Sequence, residues 1–220
     1  MTRFFDILFS GMAIIVLTPF MLPIMLLLKL TGEHYIFYGQ PRVGKNGEIF
    51  KVLKFATMLK DSPNMPGGTY TQKNDPRMLP MGPFLRKTKI NELPQLLNIF
   101  IGQMSVIGYR PLVPKGYNAY PEEVKEVLKK SVPGLSGIGS IVFRNEEEIL
   151  QNFEDKDSFY DNVIIPYKGK VECWYAENKS LLLYFKLIYL TVIAVISPEH
   201  CNWRKLKGIP LPPKELEEYL

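Results

Sequence analysis

The sequence predicts a mostly helical α+β protein with an N-terminal membrane helix and a small β-hairpin. Three features favour this fold class: an uncharged apolar run at the start, an Asn-Gly turn between segments rich in aromatic and β-branched residues, and apolar residues at helical spacing in the middle of the chain. The chain has 220 residues, 46% of them hydrophobic, which is enough for one well-filled domain and an anchor. We expect an anchor over residues 1–30, a main domain over residues 31–197 and a tail over residues 198–220.

The anchor is predicted from residues 7–28, which carry no charge and are long enough as a helix to cross a bilayer core. A signal peptide would have a shorter apolar run and a small-residue cleavage site, so we interpret the segment as a retained anchor. Thr18-Pro19 and Pro23 predict a bend, because each proline removes a backbone donor, and Thr18 can cap a freed carbonyl. A kinked span and a re-entrant helix are both compatible with these residues. Basic residues after the segment place the downstream domain in the cytoplasm.

A β-hairpin is predicted around Asn46-Gly47, since Asn-Gly is the strongest short hairpin signal. Lys54 on its second strand is either a solvated lysine or a phosphate contact. Residues 63–80 contain many Pro, Gly and Asn residues, which predict a loop that could act as a lid.

A helix is predicted to begin near Asn91, with Pro94 in its first turn and Gly102 at its end. Asn91 and Glu92 are explained as a helix cap and an acid that favours the helix dipole. The same helix start is also a suitable anion site, because Arg86 and Arg110 can bind phosphate and Glu92 can hold a divalent metal against a diphosphate. The two interpretations are compatible with each other.

The second half of the chain is predicted to be mainly helical. Residues 122–130 form a short charged helix, residues 131–140 read as a Gly- and Ser-rich loop, and residues 144–180 are helical with solvated faces. Residues 180–197 form an apolar helix that is either buried or lies in a membrane interface.

The charge and cysteine content narrow the possible functions. The net charge of +5 suits an anionic membrane surface or a phosphate-bearing substrate. No basic tract or RNP-like aromatic cluster supports nucleic-acid binding. Cys173 and Cys201 have no metal-type spacing with the histidines, so reduced structural thiols are expected.

The segment "FLRKTKINELPQLLNIFIGQMSVIGYRP" resembles the signature of the monotopic phosphoglycosyl transferases, the bacterial sugar transferase family. The resemblance extends to "QPRVGKNGEIFKVLKFATM", "NDPRMLPMGPFLR", "PGLSGIG" and the apolar N-terminus with its proline. It implies an enzyme that transfers a sugar 1-phosphate from a UDP-sugar to polyprenyl (undecaprenyl) phosphate with release of UMP, requires Mg²⁺, and initiates glycoconjugate or polysaccharide biosynthesis.

The resemblance also implies a location and a topology. It implies a monotopic protein at the cytoplasmic face of the bacterial inner membrane, with a re-entrant N-terminal helix that turns back at Thr18-Pro19. The main domain is then a cytoplasmic catalytic domain whose interfacial amphipathic helices contact membrane lipid. No nucleic-acid partner is implied, and the oligomeric state is left open, with a homodimer among the states considered.

The resemblance assigns a role to each residue of the candidate site. Glu92 matches the acid that serves magnesium and catalysis, and Asn91 occupies the position of the family's nucleophilic Asp. The residues expected to bind substrate are Lys54, Arg86, Arg110 and Pro111.

Asn91 departs from the family pattern, and a neutral amide is not a covalent nucleophile that enzymes use. Four explanations are open: Asn91 is a trapping substitution, Glu92 is the nucleophile, polyprenyl phosphate attacks directly, or the protein binds without turnover. The last makes the chain a non-catalytic nucleotide-sugar binding or assembly protein. Ala56 and Tyr109 are further departures, from an Arg and a Pro respectively.

Overall fold

The computed structural model describes residues 1–66 and 75–220. This part of the chain is mostly helical with two small two-stranded sheets, so the predicted α+β class is confirmed. The helices are α1 (Thr2–Leu30), α2 (Gly82–Lys87), α3 (Gln95–Ile101), α4 (Pro114–Asn118), α5 (Glu122–Lys129), α6 (Ile138–Val142), α7 (Glu146–Gln151), α8 (Lys156–Phe159), α9 (Ile165–Glu177) and α10 (Leu181–Ile196). The strands are β1 (Phe37–Val43), β2 (Ile49–Phe55), β3 (Ser105–Ile107) and β4 (Gly134–Ser136).

The described residues group into two compact units. The first contains Met1–Asp6, Pro41–Phe50 and Gly102–Leu220, and the second contains Ile7–Gln40 and Lys51–Ile101. Helix α1 and the β1–β2 hairpin contribute residues to both units. The three-part division at residues 30 and 197 stays a prediction, and residues 67–74 of the predicted lid lie outside the described residues.

Helix α1 is the one helix of the described chain that is long and apolar enough to cross a membrane. It runs continuously through Pro19 and Pro23. Thr18 Oγ1 donates a hydrogen bond to the Ile14 carbonyl at 2.6 Å, whereas the carbonyl that lacks a donor because of Pro19 is that of Ile15. Thr18 therefore bonds to the backbone one residue earlier than the capping prediction required. The membrane break at Thr18-Pro19 stays a prediction.

The first residues of α1 are held by a buried carboxylate in the first unit. Asp6 Oδ1 accepts hydrogen bonds from Ser105 Oγ and Val106 N, both at 2.9 Å, and from Tyr184 Oη at 2.8 Å. Three donors offset the cost of burying this carboxylate. The start of α1 is thereby fixed to β3 and α10.

The predicted hairpin is present, and its turn has the backbone that its sequence favours. Asn46 and Gly47 both have positive φ, 59° and 75°, a region in which Asn and Gly are the least strained residues. In the second unit, Phe55 at the end of β2 packs in a buried cluster with Leu28 and Leu85. This cluster places the ends of α1, β2 and α2 together.

Two sequence predictions about local structure are wrong. The α-helix after Asn91 begins at Gln95, because residues Ile90–Glu92 form a tight turn in which Glu92 N donates to Lys89 O. The predicted Gly- and Ser-rich loop over residues 131–140 instead contains β4, which pairs in parallel with β3, and the first residues of α6. Gly102 does end α3, with a φ of 95°.

Helix α10 has one buried face and one exposed apolar face, and its position in a membrane interface stays a prediction. Tyr184, Leu187 and Leu190 are buried, and an opposite apolar face is exposed. The exposed residues are Leu182, Tyr189, Val192, Val195 and Ile196. Ser180 caps the helix by accepting a hydrogen bond from Leu183 N at 3.2 Å.

Candidate active site

The second unit brings Lys54 and Glu92 together. Lys54 lies near the end of β2, and Glu92 lies in the turn before α3. Lys54 Nζ is 3.6 Å from Glu92 Oε1, and the two side chains are 19% and 25% exposed. Lys54 therefore has a defined charged partner, and this pair stays accessible to a ligand.

The position of this pair is set by a side chain that pairs with a strand. Asn98 on α3 accepts a hydrogen bond from Leu53 N and donates one to Lys51 O, each at 2.9 Å. The buried Asn98 amide thus binds the β2 backbone as a neighbouring strand would. This fixes β2, which carries Lys54, against the helix that follows Glu92.

Arg86 on α2 is half-buried and is oriented through its guanidinium. Its Nε donates to Thr57 Oγ1 at 2.9 Å, and its Nη2 lies 3.1 Å from Met58 Sδ. Burial lowers the pKa of Arg86 from its ordinary value, and the negative charges of Asp75 and Glu92 oppose that shift. Arg86 is therefore a permanently charged group within electrostatic reach of Glu92.

Asn91 is buried, with 7% of its surface exposed. Its Oδ1 has no hydrogen-bond partner among the described residues. Asn91 lies inside the turn Ile90–Glu92 and does not cap an α-helix. A buried acceptor without a partner is uncommon and costly, which makes it a candidate ligand contact. The capping explanation of Asn91 is wrong because the α-helix begins later.

Arg110 and Pro111 belong to the first unit. Arg110 is exposed at its side chain, and its N–H donates to Glu172 Oε1 at 3.4 Å. The Pro111 carbonyl accepts a hydrogen bond from Arg42 Nη1 at 3.0 Å. The corner that presents Arg110 is thus fixed through its backbone on both sides.

Three glycines, Gly108, Gly134 and Gly137, allow close backbone packing next to this corner. A Cβ at Gly108 would lie 2.6 Å from Gly134 N, and a Cβ at Gly137 would clash with the Gly108 carbonyl oxygen. Since only glycine permits such close approach, the backbones of β3 and β4 pack directly on each other. The "SVIGYRP" segment, which carries Arg110, and the "PGLSGIG" segment therefore pack backbone against backbone.

Sequence reasoning missed Glu172 on α9, which is buried to 2% exposure. Burial raises its pKa to about 7, while the Arg110 N–H and the charges of Lys168 and Arg110 oppose the shift. Its Oε2 has no hydrogen-bond partner within the described chain. The signal in the sequence was an acid at helical spacing with Ile165, seven residues before it, and Tyr175, three residues after it, on the buried side of the helix.

A magnesium ion fits the residues of the second unit. Magnesium is usually bound through one or two carboxylates together with substrate phosphates, and it prefers hard oxygen ligands. Glu92 supplies a partly exposed carboxylate, and Asn91 supplies an amide oxygen without a partner. Among residues 1–66 and 75–220, His, Cys, Asp and Glu form no larger cluster that would hold a metal without a substrate.

Lys54, Arg86 and Glu92 are thus charged side chains of the second unit, in a chain whose helix α1 is long and apolar enough to cross a membrane. Over residues 1–198 the sequence matches the family described as bacterial sugar transferase, and the chain belongs to that family. It is therefore an enzyme of the transferase class, as the sequence resemblance implied.

The sequences of several named relatives align with most of this chain. The exopolysaccharide production protein ExoY of Sinorhizobium fredii is 34% identical over 209 residues, which cover 88% of this chain and 84% of the relative. An undecaprenyl-phosphate galactose phosphotransferase of Salmonella typhimurium is 30% identical over 88% of this chain and 40% of the relative. A UDP-glucose:undecaprenyl-phosphate glucose-1-phosphate transferase of Escherichia coli is 30% identical over 85% and 38%, respectively.

Proposed function

We propose that the protein transfers a sugar 1-phosphate from a UDP-sugar to undecaprenyl phosphate, releases UMP, and so initiates polysaccharide or glycoconjugate synthesis. The observation that carries the proposal is the group of Lys54, Arg86 and Glu92 in one unit of a chain that belongs to the bacterial sugar transferase family. The names of the relatives supply the substrate classes.

The proposed reaction exchanges one phosphoanhydride bond for another. An oxygen of the lipid phosphate bonds to the phosphorus that carries the sugar, and the bond from that phosphorus to the UMP oxygen breaks. The products are the lipid diphosphate sugar and UMP, with no proton required from the protein. This direct route needs no nucleophile at residue 91, in agreement with an amide at that position.

The chain's own residues supply positive charge and orientation. Arg86, which Thr57 holds through a hydrogen bond, would bind phosphate oxygens in a fixed orientation, and Lys54 beside Glu92 would neutralise their charge. Glu92 and the Asn91 Oδ1 would hold magnesium. When bound, the metal supplies charge neutralisation at the diphosphate. Arg110 and Pro111 are proposed contacts for the nucleotide or its phosphates.

Turnover by the purified 220-residue chain tests this function. The protein is incubated with undecaprenyl phosphate, Mg²⁺ and each of a panel of UDP-sugars, and released UMP is measured. We expect UMP release with at least one sugar, and its loss when either the lipid or the metal is omitted. Saturable UDP-sugar binding without UMP release would instead identify a non-catalytic nucleotide-sugar protein.

We propose further that α1 is re-entrant and that both of its ends face the cytoplasm. Two prolines, Pro19 and Pro23, lie inside the helix, and each removes a backbone donor. Basic residues, Arg3 and Lys29, stand on both sides of the apolar run, and basic residues favour the cytoplasmic side. The exposed apolar face of α10 is proposed to lie in the same membrane interface.

Cysteine labelling tests this topology. Thr2 is changed to Cys in a chain whose Cys173 and Cys201 are changed to Ser, and intact cells are treated with a membrane-impermeant maleimide. We expect no labelling until the cells are permeabilised. Strong labelling of intact cells would mean that α1 crosses the membrane.

A further inference from the structure

We propose that Thr57 is a positioning residue that fixes the guanidinium of Arg86 for phosphate binding. Thr57 is 6% exposed, and its hydroxyl accepts the hydrogen bond from Arg86 Nε at 2.9 Å. The inference rests on the proposed function, because it assigns Thr57 a role in binding the diphosphate.

The contact restricts the orientation of the guanidinium plane. Nε carries one N–H, so its hydrogen bond to Thr57 sets the direction of the planar fork. The neighbouring Met58 Sδ, 3.1 Å from Nη2, contacts a second nitrogen of the same group. Thr57 is β-branched and restricted at χ1, so its hydroxyl is itself held in place.

The backbone of Thr57 also contacts the start of the helix that carries Arg86. A Cβ at Gly82 would clash with the Thr57 carbonyl oxygen, so this approach requires glycine. Arg86 follows Gly82 by one helical turn on α2. Thr57 therefore meets α2 twice: through its carbonyl at Gly82, and through its hydroxyl at Arg86.

A buried ion pair supports the segment that holds Thr57. Arg77 Nε and Nη2 donate to the two oxygens of Asp75 at 2.8 and 2.6 Å, and Arg77 Nη1 donates to Ser62 O at 2.8 Å. The residues next to this pair bind the Thr57 segment through the backbone, with Leu59 N donating to Arg77 O at 2.8 Å and Leu79 N to Thr57 O at 3.0 Å. The Asp75–Arg77 ion pair thus supports the position of Thr57.

The test compares Thr57→Val, Thr57→Ser, Arg86→Ala and the double variant Thr57→Val/Arg86→Ala in the 220-residue chain. Valine keeps the shape of threonine but removes the acceptor, while serine keeps the acceptor. Two quantities are measured for each variant: the affinity for UDP by calorimetry, and kcat and KM for the UDP-sugar.

We expect Thr57→Val to weaken UDP affinity and raise KM about tenfold, as for loss of a hydrogen bond to a charged group. Thr57→Ser should recover to within about threefold of the wild type, since the acceptor is restored. In the Arg86→Ala background, Thr57→Val should have little further effect, because residues that act through each other are not additive.

Three results would overturn the proposal: UDP affinity of Thr57→Val equal to that of the wild type, an undiminished effect of Thr57→Val in the Arg86→Ala background, or no UDP binding by the wild type. If the wild type binds UDP but releases no UMP with any sugar, the proposed function fails. The UDP-binding cycle then still decides the role of Thr57.

Discussion

Arg86 and Arg110 are both candidate phosphate-binding residues, but different parts of each residue are fixed. Arg86 is half-buried, and its guanidinium is held by Thr57 and Met58. Arg110 has an exposed side chain, and its backbone is held by Glu172. A pre-oriented guanidinium has already lost the freedom that binding would otherwise cost, whereas an exposed one must be ordered by the ligand. We therefore expect the Arg86 guanidinium to bind the phosphates that react, and the Arg110 side chain to increase the affinity for the substrate.

The largest effect is expected for Glu92→Gln. This variant tests whether the transfer reaction takes place beside Lys54, Arg86 and Glu92. The change removes the carboxylate that pairs with Lys54 and that is proposed to hold magnesium. We expect kcat to fall by about 1,000-fold or more, since metal placement contributes several kcal/mol to transition-state stabilisation. UMP release is the measurement, and Glu48→Gln, the same change at an exposed position, is the control. Full magnesium-dependent activity in Glu92→Gln would remove every role assigned to this residue.

The next-largest effect concerns Glu172, whose carboxylate accepts the hydrogen bond from the Arg110 N–H. Its pKa is raised from an ordinary 4.5 to about 7. The folded protein binds this proton more tightly than the unfolded chain does, so its stabilisation is present below about pH 4.5 and is lost as pH rises to about 7. The loss is about 3 kcal/mol in unfolding free energy. Glu172→Gln should therefore be more stable than the wild type at about pH 8 and nearly equal to it at about pH 4.5.

Urea unfolding of the detergent-solubilised protein at the two pH values measures this difference. Glu177→Gln is the matched control, because Glu177 lies on the same helix but is exposed. Equal stabilities of Glu172→Gln and the wild type at both pH values would mean that Glu172 does not titrate in this range.

Lysine substitutions compare the two arginines directly. Arg86→Lys removes the fork held by Thr57 and Met58, so we expect kcat/KM for the UDP-sugar to fall by about 10- to 100-fold. Arg110→Lys keeps a charge on an anchored backbone, so a loss of about threefold, mainly in KM, is expected. Steady-state kinetics of both variants give the comparison, and a larger loss for Arg110→Lys would reverse it.

The smallest effect is expected for Asn91→Asp. A second carboxylate beside Glu92 repels the incoming phosphates but still offers the metal an oxygen, so the two effects oppose each other and we expect turnover to be unchanged or a few-fold slower. Intact-mass measurement should detect no phosphosugar adduct on the wild type. Faster UMP release together with an adduct on Asn91→Asp would show that the site is built for covalent transfer.

Much of the local structure was predictable because it depends on neighbouring residues. Asn46-Gly47 favours a turn with positive φ, Gly102 ends a helix, and residues 7–28 can form only an apolar helix. The candidate residues Lys54, Arg86 and Glu92 came from the sequence as well, through their charges and their family resemblance.

The contacts that give these residues their surroundings depend on the tertiary structure. The Thr57–Arg86 hydrogen bond joins residues 29 positions apart, and the Arg110–Glu172 bond joins residues 62 apart. The segment predicted as a loop contains β4, which pairs in parallel with β3, because three glycines let the two backbones approach closely. Side-chain chemistry and local backbone preference are properties of the sequence. Burial, which raises the pKa of Glu172 and lowers that of Arg86, exists only after distant segments have packed together.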